Sequence, residues 1–235
     1  MTTLVYVGPT LPAAEVAARL PGARVLPPVA VGDVLRAVKR GGVRRIAIID
    51  GYFERMAAVW HKELLVALAR GIEVWGAASM GALRAAELAP FGMRGIGGIY
   101  RAFASGELIA DDEVAVAHLP GEYGYRATSD ALVNLRDGLA RAPMLTAKTR
   151  AALVELARGR FYRERSWGQL IDDARAGSPA ALAAWPKPDR KAADARLLLR
   201  TLSRAERSRG RASVSTVPRT WALRQLEAWL AGKLG

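Results

Sequence analysis

Residues 71–88 read GIEVWGAASMGALRAAEL, and a change of character inside them decides the fold. Ile72, Val74 and Trp75 suit a buried strand, whereas Ala82, Leu83, Ala85, Ala86 and Leu88 are helix formers interrupted only by Arg84 and Glu87. Strand, tight turn and helix follow one another, with Ser79 at the join. A hydroxyl there lies at the carboxyl end of a strand and the amino end of a helix, where free N–H groups and the helix dipole favour negative charge. Two roles are open to it. It can cap the helix by accepting a first-turn N–H, or it can carry chemistry or bind an anion.

The small residues Gly76, Ala77, Ala78 and Gly81 leave room around Ser79 for a ligand or a second backbone. The hydrolase elbow G-x-S-x-G requires glycine where Ala77 stands, so the run approaches that motif without matching it.

Upstream, residues 4–7 form a β-rich run ending in Gly8-Pro9, and a helical pattern covers residues 13–19. Residues 25–28 suit a second strand. Gly32-Asp33 then opens a helix through Val34, Leu35 and Val38 that Gly41-Gly42 closes. Residues 45–49 (RIAII) are a third strand with Asp50-Gly51 at its end, and a helix is expected over residues 56–70. This alternation predicts an α/β fold of Rossmann type, a mostly parallel sheet with helices on both faces and right-handed crossovers. Ligands of such sheets bind beyond the carboxyl ends of the strands, which brings Gly8, Asp50 and Ser79 to one rim. Neither a Walker loop nor G-x-G-x-x-G is present, so no nucleotide site and no cofactor are expected. Gly92, Gly95, Gly97 and Gly98 read as a flexible loop.

Downstream, residues 99–103 suit a short helix and residues 129–139 a longer one, with Ala142-Pro143 a boundary. The acids Asp111, Asp112 and Glu113 could bind a metal, but three neighbouring side chains cannot share one direction, so solvated charge or capping is expected instead. Beyond the boundary the chain is rich in Ala, Arg and Leu and holds Trp167, Trp185, Trp221 and Trp229. Residues 1–144 are thus read as an α/β core domain and 145–235 as a basic helical region. Its helices are expected near 146–158, 167–175, 190–206 and 220–232, with a polar linker at 207–218. Leu223, Leu226, Leu230 and Leu234 follow helical spacing.

The 235 residues are 51% hydrophobic and 24% charged, which suits a soluble globular protein. Absence of cysteine excludes disulfides, a thiolate nucleophile and thiolate metal sites. No export signal and no membrane-length apolar run is apparent, so a cytoplasmic protein is expected. Of the net charge of +13, +11 lies beyond residue 144. The basic residues there are scattered, without a zinc-finger or aromatic RNA-binding pattern, which argues against a nucleic-acid partner.

Histidine occurs twice, at His61 and His118. His61 begins the helix after Asp50 and could overhang the Ser79 rim as a base, or lie on the surface beside Lys62 and Glu63; His118 could equally be the base. Asp50, Glu54, Glu63 and Glu113 are candidates to orient a histidine. Arg84 could pair with Glu87 or receive a substrate carboxylate.

Asp50-Gly51-Tyr52-Phe53, Val59-Trp60-His61-Lys62-Glu63, Gly76 through Leu88, Phe91-Gly92-Met93 and Asp111 through Val116 together resemble the core of the TfuA family. Gly8-Pro9-Thr10-Leu11 is similar to that family's start, and the resemblance covers roughly residues 4–140. It implies a partner of YcaO-type enzymes in making backbone thioamides in ribosomally produced peptides. YcaO activates the amide with ATP, and the TfuA-like protein helps to supply sulfide by hydrolysing the C-terminal thiocarboxylate of a ubiquitin-like sulfur carrier, the precursor peptide joining the assembly. On that resemblance Ser79 is expected to attack, His61 to take its proton and Asp50 to support the site. Gly76, Ala78, Met80 and Gly81 would line the carrier's tail, N–H groups around Met80 and Gly81 would stabilise the oxyanion, and Arg84 would hold the thiocarboxylate. A non-catalytic scaffold that activates YcaO is the alternative.

Overall fold

The β-rich runs that alternate with helical patterns fold into five parallel strands. These are β1 Thr2–Tyr6, β2 Arg24–Leu26, β3 Val43–Ile48, β4 Glu73–Ala77 and β5 Arg94–Ile96, in the order β2-β1-β3-β4-β5. The computed structural model describes residues 2–54, 56–173, 179–205 and 216–232. Ile46, Ala47 and Ile48 of β3 are wholly buried, as an inner strand covered on both faces requires.

One face carries α2 Asp33–Arg40, α3 His61–Ala69 and α4 Met80–Leu88, whose Val34, Leu64, Leu68 and Leu83 pack against Leu4, Ile46, Ile48 and Val74. On the other face lie α1 Ala13–Arg19 and, from the far end of the chain, α10 Arg190–Arg204. Leu198, Leu199 and Leu202 of α10 meet Val5, Ala47, Ile49 and Trp75. Each such leucine contributes roughly 1.5–3 kcal/mol by its burial. Arg196 reinforces this packing through two bonds to Glu15 of α1, at 2.7 and 3.1 Å.

The other C-terminal helices take different places. α7 Ala147–Gly159, α8 Trp167–Asp173 and α9 Pro179–Ala184 share a core with α6 Leu132–Arg141, through Leu135, Leu139, Leu153, Trp167 and Leu182. α11 Trp221–Gly232 lays Leu223, Leu226 and Leu230 on Leu35 of α2. Leu234 and most of the expected linker at 207–218 lie outside the described residues.

Two expectations change. α3 begins at His61, not at residue 56, because the Glu63 carboxylate turns back to accept from the Trp60 N–H at 3.1 Å. That carboxylate also accepts from the Gly32 N–H at 2.9 Å, joining the starts of α2 and α3. The glycine segment is not a loop. It forms β5 and leads into α5 Gly98–Ala104, whose first N–H groups, on Gly98 and Ile99, are capped by Asp194 of α10 at 3.0 and 2.7 Å. Gly95 is glycine because the Tyr100 ring occupies the place of a Cβ, 2.0 Å away.

Among the described residues no helix is long and apolar enough to cross a membrane.

Candidate active site

In a sheet of this order the neighbours β1 and β3 send their connections to opposite faces, and a crevice opens beyond their carboxyl ends. A cavity of about 270 Å³ lies there, lined among others by Pro9 after β1, Asp50 after β3, Ser79 and Met80 after β4, and residues 114–119. Asp50 is buried and acts as a clamp. Its carboxylate accepts from the Gly8 N–H at 2.9 Å, the Thr10 N–H at 3.0 Å and the Thr10 hydroxyl at 2.6 Å, fixing the β1–α1 loop at the rim.

The turn bearing Ser79 is tight. The Ser79 N–H donates to the Ala77 carbonyl at 2.8 Å, and Ala78 between them has φ +67°. This is a γ-turn with its centre on the disfavoured side of the Ramachandran map, the kind of local strain that collects at functional sites. Ser79 does not cap α4 with its side chain. Its hydroxyl instead donates to the Val114 carbonyl at 3.4 Å, a long bond that leaves the oxygen loosely held. At the start of α4, Ala82 and Leu83 N–H groups donate to the Ser79 carbonyl, and the Gly81 N–H donates to the Ile49 carbonyl at 3.3 Å. The Met80 N–H has no backbone acceptor among the described residues.

Gly76 and Gly81 are glycines for packing. A Cβ on Gly76 would fall 1.9 Å from the Gly81 oxygen, and one on Gly81 would fall 1.8 Å from the Ile48 oxygen. They seat α4 directly on β3 and β4, so Gly76, Ala78 and Gly81 form the buried joint beneath the cavity while Met80 reaches its wall. The Gly81 N–H, already donating to Ile49, is removed from the expected pair of oxyanion donors.

The two histidines separate. His61 lies outside the cavity lining, half-exposed, with Nε2 2.8 Å from a Glu87 carboxylate oxygen that Arg84 also reaches at 2.7 Å. Arg84 is turned to the same cluster and donates from Nε to the Val59 carbonyl at 3.2 Å. His118 lines the cavity. Its Nδ1 is 2.8 Å from the Leu119 carbonyl, which can only accept, so Nδ1 carries a proton. Tyr52 and Tyr125 flank it, with ring centroids 6.1 and 5.8 Å away.

The acids at 111–113 build the opposite wall. They form a 3-10 turn in which Glu113 pairs with Arg136 at 2.8 and 3.0 Å, and Asp112 with the buried Arg165 at 2.6 Å. Ion pairs thus hold Asp112 and Glu113, where solvation or capping was expected. Among the described residues no group of three or more His, Asp or Glu could hold a metal ion. Arg165 also donates to the carbonyls of Ala157 and Asp112, tying residues 111–118 to the end of α7. Arg163 lines the cavity, half-exposed, with a cationic head beside Glu54 and Tyr162.

Behind this wall is a residue that the sequence did not single out. Lys191, in the first turn of α10 and 3% exposed, donates from Nζ to the Val114 carbonyl at 2.8 Å, the same oxygen that Ser79 reaches. Burial pushes the Lys191 ammonium's pKa down, against the opposing pull of Asp50 and Asp189. The available signal was its place on the apolar stripe with Ala195, Leu198 and Leu202, where a lysine is out of character.

The fold and site therefore define an α/β protein with a serine at the switch point of a parallel sheet. The chain matches the model for TfuA-like proteins over residues 50–166 and belongs to the TfuA-like family. At family level this associates it with YcaO-type enzymes. No curated protein matches the chain.

Proposed function

We propose that the protein releases sulfide for YcaO-dependent backbone thioamidation by hydrolysing the C-terminal thiocarboxylate of a ubiquitin-like sulfur carrier, with Ser79 as nucleophile. The observation that carries this reading is the Ser79 hydroxyl itself. It stands on a strained turn, makes no helix cap and opens on the cavity at the switch point.

Ser79 Oγ bonds to the thiocarboxylate carbon and the C–S bond breaks. The proton of Ser79 goes to the departing sulfur, which leaves as hydrosulfide, and the Met80 N–H steadies the oxyanion. Water then adds to the ester, freeing the carrier carboxylate and restoring the hydroxyl. A cavity of about 270 Å³ takes the terminal residues of an extended, glycine-ended tail and leaves the carrier's folded body outside. Arg163 lines the cavity and, though paired with Glu54 at 3.4 Å, offers the anionic terminus a positive charge at the wall, whereas Arg84, turned to Glu87 and Val59, lies outside the lining. The precursor peptide stays with the YcaO-type partner, and this chain needs no cofactor of its own.

The test is sulfide release from purified thiocarboxylated carrier by the wild type and by Ser79→Ala, each checked for folding, with and without a YcaO-type partner. Release lost in Ser79→Ala supports acyl transfer. No release by the wild type under either condition overturns it and leaves a scaffold that docks on YcaO.

A further inference from the structure

The Ser79 hydroxyl needs a proton acceptor, and among the described residues it is hydrogen-bonded to neither histidine. The group nearest to it through a shared atom is Lys191. Nζ of Lys191 and Oγ of Ser79 both donate to the Val114 carbonyl, at 2.8 and 3.4 Å, so each is one hydrogen bond from the same oxygen. Val114 directly follows the 3-10 turn Asp111–Glu113, which the ion pairs to Arg136 and Arg165 hold in place.

Lys191 is poorly placed for a purely structural cation, although Nζ donates to Val114 and both Asp50 and Asp189 favour its charge. It is buried, and among the described residues no carboxylate lies within ion-pair distance of it. It also sits in the first turn of α10, where the helix dipole opposes positive charge. An apolar side chain would fill that site at lower cost. Its backbone is nevertheless firmly placed. Asp189 caps α10 by accepting from the Ala192 N–H at 2.9 Å, and the Lys191 N–H donates to the Asn134 side chain at 3.1 Å.

Building on the reading of Ser79 as the nucleophile, we propose that Lys191 is the general base that activates it, in a serine–lysine pair assembled between the α4 turn and α10. The hydroxyl exchanges its long bond to Val114 for the lone pair of neutral Nζ. Nζ takes the proton as the Oγ–C bond forms, and the resulting ammonium gives it to the sulfur as the C–S bond breaks. In the second half Nζ takes a proton from the attacking water and returns it to Oγ. The ionisable groups bearing on Lys191 are Asp50 from the end of β3 and Asp189 from the start of α10. Both favour the ammonium and limit how far burial lowers its pKa.

The experiment uses the full-length chain and two readouts across pH: sulfide release from the thiocarboxylated carrier, and covalent labelling of Ser79 by a fluorophosphonate. In the wild type both rates should rise with pH to a plateau, with an apparent pKa below lysine's usual range. Lys191→Met, checked by thermal melting, should lower kcat about 10²–10⁴-fold with little change in KM. Because the chain has no cysteine, Lys191→Cys can be aminoethylated at that position alone, unfolded and then refolded, giving a less basic lysine analogue. Activity should return with the rising limb displaced to lower pH. Should Lys191→Met fail to fold, the aminoethylated protein decides.

Wild-type rates in Lys191→Met, or an analogue whose limb stays where the lysine put it, overturn the assignment. If the wild type releases no sulfide yet labels at Ser79 in a Lys191-dependent way, the substrate reading falls and the base assignment stands. Sulfide release with labelling indifferent to Lys191 overturns the base assignment and leaves the substrate reading standing.

Discussion

Gly81 and Ile48 touch backbone to backbone: a Cβ on Gly81 would lie 1.8 Å from the Ile48 oxygen. No flexible side chain can yield there, so Gly81→Ala must push α4 off β3 and carry Ser79 with it. A loss of about 3 kcal/mol or more is expected by urea denaturation, and sulfide release should fall with it.

His61→Ala should change little. The ring is half-exposed, outside the cavity lining, and tied to a surface carboxylate. Sulfide release is expected within about threefold of wild type and stability within roughly 0.5 kcal/mol. A loss comparable to that of Ser79→Ala would return the base to His61.

Arg165→Lys should not be conservative. The guanidinium is buried and donates at once to Asp112 and to carbonyls at the end of α7, a fork that an ammonium cannot reproduce. About 2–4 kcal/mol should be lost in chemical denaturation. The wall at residues 111–118 should also become more accessible to limited proteolysis.

Hydrogen bonds from Arg196 and then Arg19 lower the Glu15 carboxyl's pKa to about 2 in the folded chain, from an ordinary 4.5. The unfolded chain therefore binds this proton first as pH falls. The stabilisation is complete above pH 4.5 and disappears as pH drops through about 2. Glu15→Gln should melt below wild type at neutral pH, and the gap should close across that window. A gap that stays constant with pH would show that the α1–α10 tie does not depend on charge.

Alternation of apolar runs and helical patterns was enough to read the parallel sheet, and the Ala-, Arg- and Leu-rich character of the C-terminal segment, with the leucine spacing of its last helix, pointed to its longer helices. β5 escaped because Gly95 and Gly97 look like loop punctuation, and the reasons for them, the Tyr100 ring and the Asp194 cap, lie elsewhere in the fold. Asp50 and Ser79 could be brought together from topology alone, since both end a strand on the same rim. His61 could not be placed, because its position depends on where α3 starts, and Glu63 decides that by reaching back to Trp60. Lys191 comes from a remote helix, and only its intrusion into a leucine stripe gives it away.

The position of α10 on the sheet's second face has a consequence for synthesis. Ser79 and the strands around it leave the ribosome long before the helix that covers Val5, Ala47 and Trp75 and brings Lys191 behind Val114. Translation order therefore makes the site late. A nascent chain holds the serine with an open sheet, and the site is closed only once α10 has emerged and docked.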